Sequence, residues 1–330
     1  MILYDNRWKG NHGIGRFARE VKRHLSHLHT LDSIERGPHP LSIQDPVWLS
    51  WRIKKSPAKA YFNPGFNVPL WSEKPFVFTI HDLIHLHVPE ERSRAKTLYY
   101  ERLIRPQAKR AYKILTVSAY SKQRILEWTN LQEDRVSVVG NGVNEAFCPN
   151  GRTVDLGFDY VLCVSNPKPH KNLPRLLKAW SLLKTDIRLA FTGVANPQLM
   201  ECIKRDHLAE RVIFLGHIPE VDLPTYYRSA AAVILPSTYE GFGLPPLEGM
   251  ACGVPVVVAN ATSLPEVVGD AGLLFDPLSS EAIAYALERI LTDSDLRKQC
   301  IQKGLERATD FSWIRVARNI HTVLESIGER

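Results

Sequence analysis

At 330 residues, 44% hydrophobic and 23% charged, the chain has an ordinary globular composition and the length for two domains. It holds no run of about 18 apolar residues, which excludes a membrane-spanning helix, and its five scattered cysteines, with no CxxC pair, exclude a disulfide framework and predict reduced, mostly buried thiols. The net charge of +7 is uneven: residues 1–150 carry 23 Lys and Arg against 14 Asp and Glu, and residues 151–330 carry 19 against 21. A basic first half predicts an anionic partner. An anionic membrane leaflet is one candidate. Nucleic acid is another, but no binding motif for it is present; the plain alternative is a solvated basic face. The start, MILYDNRWKGNHGIGR, lacks the apolar stretch of a signal peptide, so a cytoplasmic location is expected.

Strands and helices alternate along the chain, as in α/β proteins with parallel sheets. Met1–Tyr4 reads as a strand, followed by a glycine loop (Gly10, Gly13, Gly15) and a helix from Ile14 to Leu28. Pro75–Ile80 is an apolar strand, Ser93–Ala111 is helical in composition, Ile114–Val117 is a strand, Ser118–Trp128 is a helix with a Ser N-cap, and Val136–Val139 is a strand. A boundary falls near Cys148-Pro149-Asn150-Gly151, after which the pattern restarts. Strands are expected at Tyr160–Val164, Arg188–Thr192, Val212–Leu215, Ala232–Leu235, Val254–Ala259 and Leu273–Phe275. The helices between and after them are Leu173–Leu183, Pro197–Asp206, Leu223–Ser229, Pro245–Cys252 and Glu281–Leu291, with Phe311–Ile327 as a last amphipathic candidate.

The string PSTYEGFGLPPLEGMACGVPVV, Pro236 to Val257, carries the most chemistry. Gly241 and Gly243 permit close backbone approach to a ligand. Pro245 and Pro246 suit the first turn of a helix, and Gly253 suits its C′ position. The helix N-terminus, with its free N–H groups and positive dipole end, favours phosphate. Glu240 before the helix and Glu248 within it can each accept hydrogen bonds from a vicinal diol. Taken alone, the two glutamates also read as acidic residues suited to a helix start.

The whole string resembles the donor-binding signature of retaining glycosyltransferases of family 4. The resemblance implies the GT-B fold: two Rossmann-like doubly wound domains facing a cleft, here residues 1–150 for the acceptor and 151–310 for the nucleotide-sugar, with the last helix, in 311–330, crossing back to the first domain. It implies that Glu240 contacts the donor sugar and Glu248 the ribose, with Gly241, Phe242, Gly243 and Leu244 lining the donor. Lys171, in SNPKPHKN after the Tyr160–Val164 strand, matches the family's phosphate-binding lysine; by itself it reads as an ordinary surface lysine. Many members carry an arginine a few residues earlier, where this chain has Ser165-Asn166-Pro167.

The loop NHGIGRFARE resembles the family's first-domain loop over the donor phosphates, which makes Gly13 and Gly15 donor-side candidates and Arg16 an acceptor-side one. It is not GxGxxG, so as a Rossmann fingerprint it is weak. In HDLIHLHVPE the resemblance places His81 and Asp82 beside the reacting sugar. His81 with His85, or His85 with His87, is a poor metal pair, because i, i+4 ligation needs a helix and Pro89 argues for a loop. Asp293-Ser294-Asp295 has the form of a metal-binding DxD but reads better as a helix cap. No metal or other cofactor is expected.

HDLIHLHVPE together with the donor string looks nearest to bacterial mannosyl- and rhamnosyltransferases of surface-polysaccharide assembly. That implies a nucleotide-sugar donor, GDP-linked ahead of UDP-linked, and a glycan or lipid-linked glycan acceptor of lipopolysaccharide or O-antigen synthesis. Peripheral attachment to the inner face of the cytoplasmic membrane is the matching expectation, and Arg92 to Lys113 forms a basic amphipathic candidate for it, with Leu98, Tyr99, Tyr100, Leu103 and Ile104 as its apolar stripe. The rival readings are a sugar-nucleotide epimerase or phosphorylase of the same fold and a non-catalytic sugar-nucleotide binder.

Overall fold

The computed structural model describes residues 1–10 and 13–328; Asn11 and His12 of the first glycine loop lie outside them. Two compact units make up the chain, Met1–Gly142 with Phe311–Arg330, and Val143–Asp310.

The first unit runs β1 (Ile2–Asp5), α1 (Gly13–Leu25), β2 (Leu31–Ile34), α2 (Asp45–Lys55), β3 (Ala60–Asn63), β4 (Phe76–Thr79), α3 (Ile84–His87), α4 (Arg94–Tyr99), α5 (Arg105–Arg110), β5 (Lys113–Thr116), α6 (Ala119–Thr129) and β6 (Val136–Val138). The strands pair in parallel in the order β2-β1-β3-β4-β5-β6. The second unit runs β7 (Tyr160–Cys163), α7 (Leu173–Leu182), β8 (Arg188–Phe191), α8 (Pro197–Arg205), β9 (Val212–Phe214), α9 (Leu223–Arg228), β10 (Ala232–Leu235), α10 (Leu244–Ala251), β11 (Val256–Ala259), α11 (Leu264–Val268), β12 (Gly272–Phe275), α12 (Ser280–Thr292) and α13 (Ser294–Ala308). Its sheet is also parallel, in the order β12-β11-β10-β7-β8-β9. The last helix, α14 (Trp313–Glu325), belongs to the first unit.

The central strands β7 (YVLC), β10 (AVIL) and β11 (VVVA) are buried at every residue. Such unbroken apolar runs belong to parallel strands covered by helices on both faces. Gly249 lets α10 lie against this sheet: a Cβ there would stand 3.0 Å from Val233 Cγ2 and 3.1 Å from Val256 Cγ1. Reading outward from β7, the chain adds β8 and β9 on one side and then returns to add β10, β11 and β12 on the other. The order reverses between β7 and β10, and in open α/β sheets ligands bind at such a point, beyond the carboxyl ends of the strands.

Five elements have no counterpart in the sequence reading: β2, α2, β3, α11 and α3, the last a single helical turn at Ile84–His87 where Pro89 argues for a loop. The strand β2 is a half-exposed edge with the polar sequence LDSI. β3 is four residues long and ends against Pro64. The helical stretch expected from Ser93 to Ala111 is interrupted by a π turn at Tyr100–Ile104. The widened turn precedes Pro106, which has no N–H to give to the carbonyl four residues back. Its apolar stripe faces inward. Tyr100 and Ile104 belong to the core, Tyr99 and Leu103 pack against it, and Leu98 is 58% exposed.

The units divide at Gly142–Val143, ahead of the boundary expected near Cys148-Pro149-Asn150-Gly151. The Arg228 guanidinium donates to the carbonyls of Ala146, Cys148 and Arg152, and Phe147 sets its ring edge-on to Tyr227, tying this segment to the second unit. In the first unit, α14 is anchored by Tyr112 Oη donating to the Ser326 carbonyl at 2.6 Å and by the Phe17 and Trp313 rings, whose centroids are 6.0 Å apart.

Candidate active site

Three loops meet beyond the carboxyl ends of β7, β10 and β11. The first ends in a 3-10 turn, Pro169–Lys171, and places Lys171 just before α7. The second, from Pro236 to Gly243, carries Glu240 and leads into α10. Lys171 Nζ lies 2.6 Å from Glu240 Oε1, with the two side chains 17% and 15% exposed. Two residues that the sequence assigns to different parts of a ligand therefore form one ion pair at the reversal of strand order. Beneath them Cys163 ends β7, and burial pushes its thiol up to about 12, so it stays protonated and inert at neutral pH.

The loops are fastened by residues the sequence does not single out. Asn172 adopts a left-handed backbone (φ 58°), and its Nδ2 donates to the carbonyls of Pro236 and Pro277 at 3.1 and 2.8 Å. Thr238 donates its backbone N–H to the His170 carbonyl. Thr262, in the loop after β11, holds φ 52°, which is costly for a β-branched residue, and its Oγ1 accepts from the Glu240 N–H at 3.0 Å. Ser263 Oγ donates to the carbonyls of Glu240 and Phe242. No spacing rule marks these residues; an αL Asn before a helix and a strained Thr become visible only in the backbone angles.

Gly243 precedes α10 with φ 116°, and a Cβ there would meet Leu264 Cδ2 at 2.6 Å, so the position requires glycine. Gly253 takes φ 73° after the same helix, as its expected C′ role demands. The helix starts at Leu244, and its next two residues are Pro245 and Pro246. Neither proline has an N–H, so the first turn offers fewer donors than the generic helix N-terminus of the sequence reading. Cationic charge at this end of the sheet then rests more heavily on Lys171. Glu248 sits on the buried face of α10, 2% exposed, and accepts a 2.7 Å hydrogen bond from Tyr227 Oη.

In the first unit, Gly13 opens α1, and a Cβ added to it would meet nothing within 4 Å. Gly15 differs: its Cβ would stand 2.3 Å from the Gly10 carbonyl oxygen. Arg16 follows on α1 and is partly exposed. His81 follows β4 and is also partly exposed; its ring meets Phe17 of α1 edge-on at 4.8 Å. His81 Nε2 lies 2.8 Å from the Pro64 carbonyl. A carbonyl can only accept, so Nε2 carries the hydrogen and Nδ1 of the neutral ring is an acceptor. Asp82 Oδ1 accepts from the Ile84 N–H, closing the turn into α3. The unit thus brings the α1 start and His81 together, with Asp82 held in the adjoining turn.

A buried network supports this end of the first sheet. Arg7, after β1, pairs with Asp5 at 2.7 Å and with Asp45 of α2, all three almost fully buried. Tyr61 Oη donates to Asp5 and Asn67 Nδ2 to Asp45. Trp8 Nε1 donates to Asn67 Oδ1 at 2.7 Å, and the indole lies where any Cβ on Gly65 would stand. Burial raises the Asp45 carboxyl, partly offset by Arg7.

The weaker motifs resolve structurally. Asp293 Oδ1 accepts from the N–H groups of Asp295 and Leu296, so the DxD is the N-cap of α13. His85 Nδ1 lies 3.2 Å from Lys96 Nζ, and His87 Nδ1 lies 3.4 Å from Arg124 Nη2.

The family model for "Glycosyltransferase Family 4" matches residues 58–147, and that for "Glycosyl transferases group 1" matches residues 150–307. O-antigen chain mannosyltransferase B of Escherichia coli is 33% identical over 284 residues, covering 81% of this chain and 74% of that protein. The chain belongs to glycosyltransferase family 4. This glycosyltransferase is also 31% identical to the serotype-specific mannosyltransferase WbdA of Escherichia coli over 77% of its length, but spans only 33% of WbdA. The sucrose-phosphate synthase of Thermosynechococcus elongatus superposes with a TM-score of 0.81 at 19% identity, covering 99% of both chains. The fold is GT-B.

Proposed function

We propose that this family 4 glycosyltransferase moves mannose from GDP-mannose to a glycan or lipid-linked glycan in O-antigen assembly, with retention at the anomeric carbon. Rhamnose and UDP-linked sugars are the second choices. The observation that carries this reading is the 2.6 Å pair of Lys171 and Glu240 at the β7/β10 reversal. In a nucleotide-sugar the β-phosphate is bonded directly to the anomeric carbon. A cation for the phosphate and an acceptor for a sugar hydroxyl must therefore be immediate neighbours, as these two are. Glu248, farther along α10, suits the ribose at the other end of the diphosphate. The choice of mannose rests on the two mannosyltransferase relatives, and that of O-antigen on the first of them.

In the reaction, an acceptor hydroxyl oxygen forms the new bond to C1 of mannose as the bond from C1 to the β-phosphate oxygen breaks. The hydroxyl proton passes to the departing diphosphate, on the same face of the sugar, and the configuration is kept. Lys171 stabilises the negative charge that gathers on the leaving group, which is electrostatic catalysis. His81, whose Nε2 donates to the Pro64 carbonyl, is the proposed contact for an acceptor hydroxyl in the first unit. No resident metal is part of this scheme.

An anionic membrane surface is the proposed partner of the first unit. Arg92, Arg94, Lys96, Arg102, Lys109 and Arg110 are exposed on and around α4 and α5, and Leu98 lines a groove of about 620 Å³ with Leu86 and Pro89. Among the described residues no helix is long and apolar enough to cross a membrane.

The test is product analysis: purified enzyme with GDP-mannose and a lipid-linked glycan acceptor, in EDTA, should release GDP and form an α-mannoside. A β-linked product would refute retention. A requirement for added metal would refute the scheme without one. Turnover of UDP-glucose alone would refute the donor.

A further inference from the structure

Glu248 and Tyr227 come from α10 and α9, the helices on either side of β10 in the chain. Glu248 is 2% exposed and Tyr227 0%, and the Tyr227 hydroxyl donates to Glu248 Oε2 at 2.7 Å. The tyrosine is itself fixed. Phe147 meets its ring edge-on, with centroids 5.8 Å apart. The next residue, Arg228, is tied through its guanidinium to the carbonyls of Ala146, Cys148 and Arg152. The hydroxyl therefore has little freedom in where it points.

A glutamate that is to accept hydrogen bonds from both hydroxyls of a vicinal diol must hold its carboxyl oxygens in a fixed orientation. Its side chain has three rotatable bonds, and an unanchored one loses conformational freedom when the ligand arrives. The Tyr227 hydroxyl donates to one carboxyl oxygen and restricts the rotamer before any ligand binds.

We infer that Tyr227 is a positioning residue of the donor site, acting through Glu248 to make the enzyme discriminate ribose hydroxyls. This rests on the reading of Glu248 as the ribose contact. Calorimetry on the full chain, with GDP and with 2′,3′-dideoxy-GDP, separates the two ideas. Wild type should prefer GDP. Tyr227→Phe keeps the ring and its packing, and should weaken GDP binding about tenfold while leaving the dideoxynucleotide unchanged. In the Glu248→Ala background the same change should add nothing. Phe147→Leu, which loosens the seat of the ring but keeps the hydroxyl, should lower the preference by a smaller factor. A Tyr227→Phe enzyme with the wild-type preference, or one that weakens both nucleotides equally, overturns the inference alone. A wild-type enzyme with no preference for the ribonucleotide overturns the donor-site reading beneath it.

Discussion

Removing the Lys171 ammonium takes away the charge proposed to meet the diphosphate and strips Glu240 of its 2.6 Å partner. Lys171→Ala should therefore lower both affinity for the nucleoside diphosphate and turnover, since the diphosphate is present in ground and transition states. Glu240→Ala should lower turnover by a larger factor than affinity for the free nucleotide. Steady-state kinetics beside calorimetry distinguish these patterns; parallel losses in both variants would contradict the separate roles. The two loop glycines should also part company. Gly15→Ala collides with the Gly10 carbonyl and should lower the melting temperature, whereas Gly13→Ala meets nothing within 4 Å and should fold normally. If the loop approaches the donor phosphates, Gly13→Ala still loses turnover; full activity would remove that role. At this scale Glu240, Glu248 and Lys171 are legible in sequence because a contiguous motif carries them. Tyr227 and Thr262 are not, because a hydrogen bond between residues 21 or 22 positions apart leaves no local pattern.

Elements whose residues alternate or run apolar were readable, and those with mixed sequence were not. β7, β10 and β11 declare themselves as buried runs, while β2, with its polar edge, and the short β3 pass unnoticed. The basic stretch at α4 and α5 shows the opposite error. Its apolar residues have the spacing of a surface stripe, yet tertiary packing takes Tyr100 and Ile104 into the core. The attachment of α14 carries a prediction of its own. His321 Nδ1 lies 2.9 Å from His29 Nε2, with Glu325 one turn along the helix and 3.7 Å from His29. Burial, and then the charge of His321, lower His29 below its ordinary 6.5, against the opposing pull of Glu325; the N-terminal amine adds to the lowering. A depressed histidine contributes stability that is present above the unfolded pKa and lost as pH falls through 6.5 toward the lower folded value. Melting temperatures taken from pH 7.5 to 5 should thus fall more steeply in wild type than in His29→Gln. Equal slopes would show that His29 does not govern the attachment.

For the whole molecule, the composition reading of two α/β units and the motif reading of the family both stand. Length, alternation of elements and one dense string were enough to reach them. What composition could not give was which basic residues face outward, since a charge count carries no direction. With Leu98 the exposed apolar residue of the expected stripe, the membrane proposal now leans on charge. Binding to anionic vesicles should then be strong at low salt, fall steeply as the Debye length shrinks below about 8 Å, and be absent on neutral lipid. Equal sedimentation with both lipids at low salt would contradict it.

A nucleotide-sugar is proposed to bind beyond β7 and β10 through Lys171 and Glu248. Titration of GDP into the wild-type chain and into Lys171→Ala and Glu248→Ala tests it most directly. Saturable binding is expected of wild type, with each variant weaker by about 1.5–3 kcal/mol, the usual loss for a hydrogen bond to a charged group. Binding of equal strength in all three proteins would contradict it.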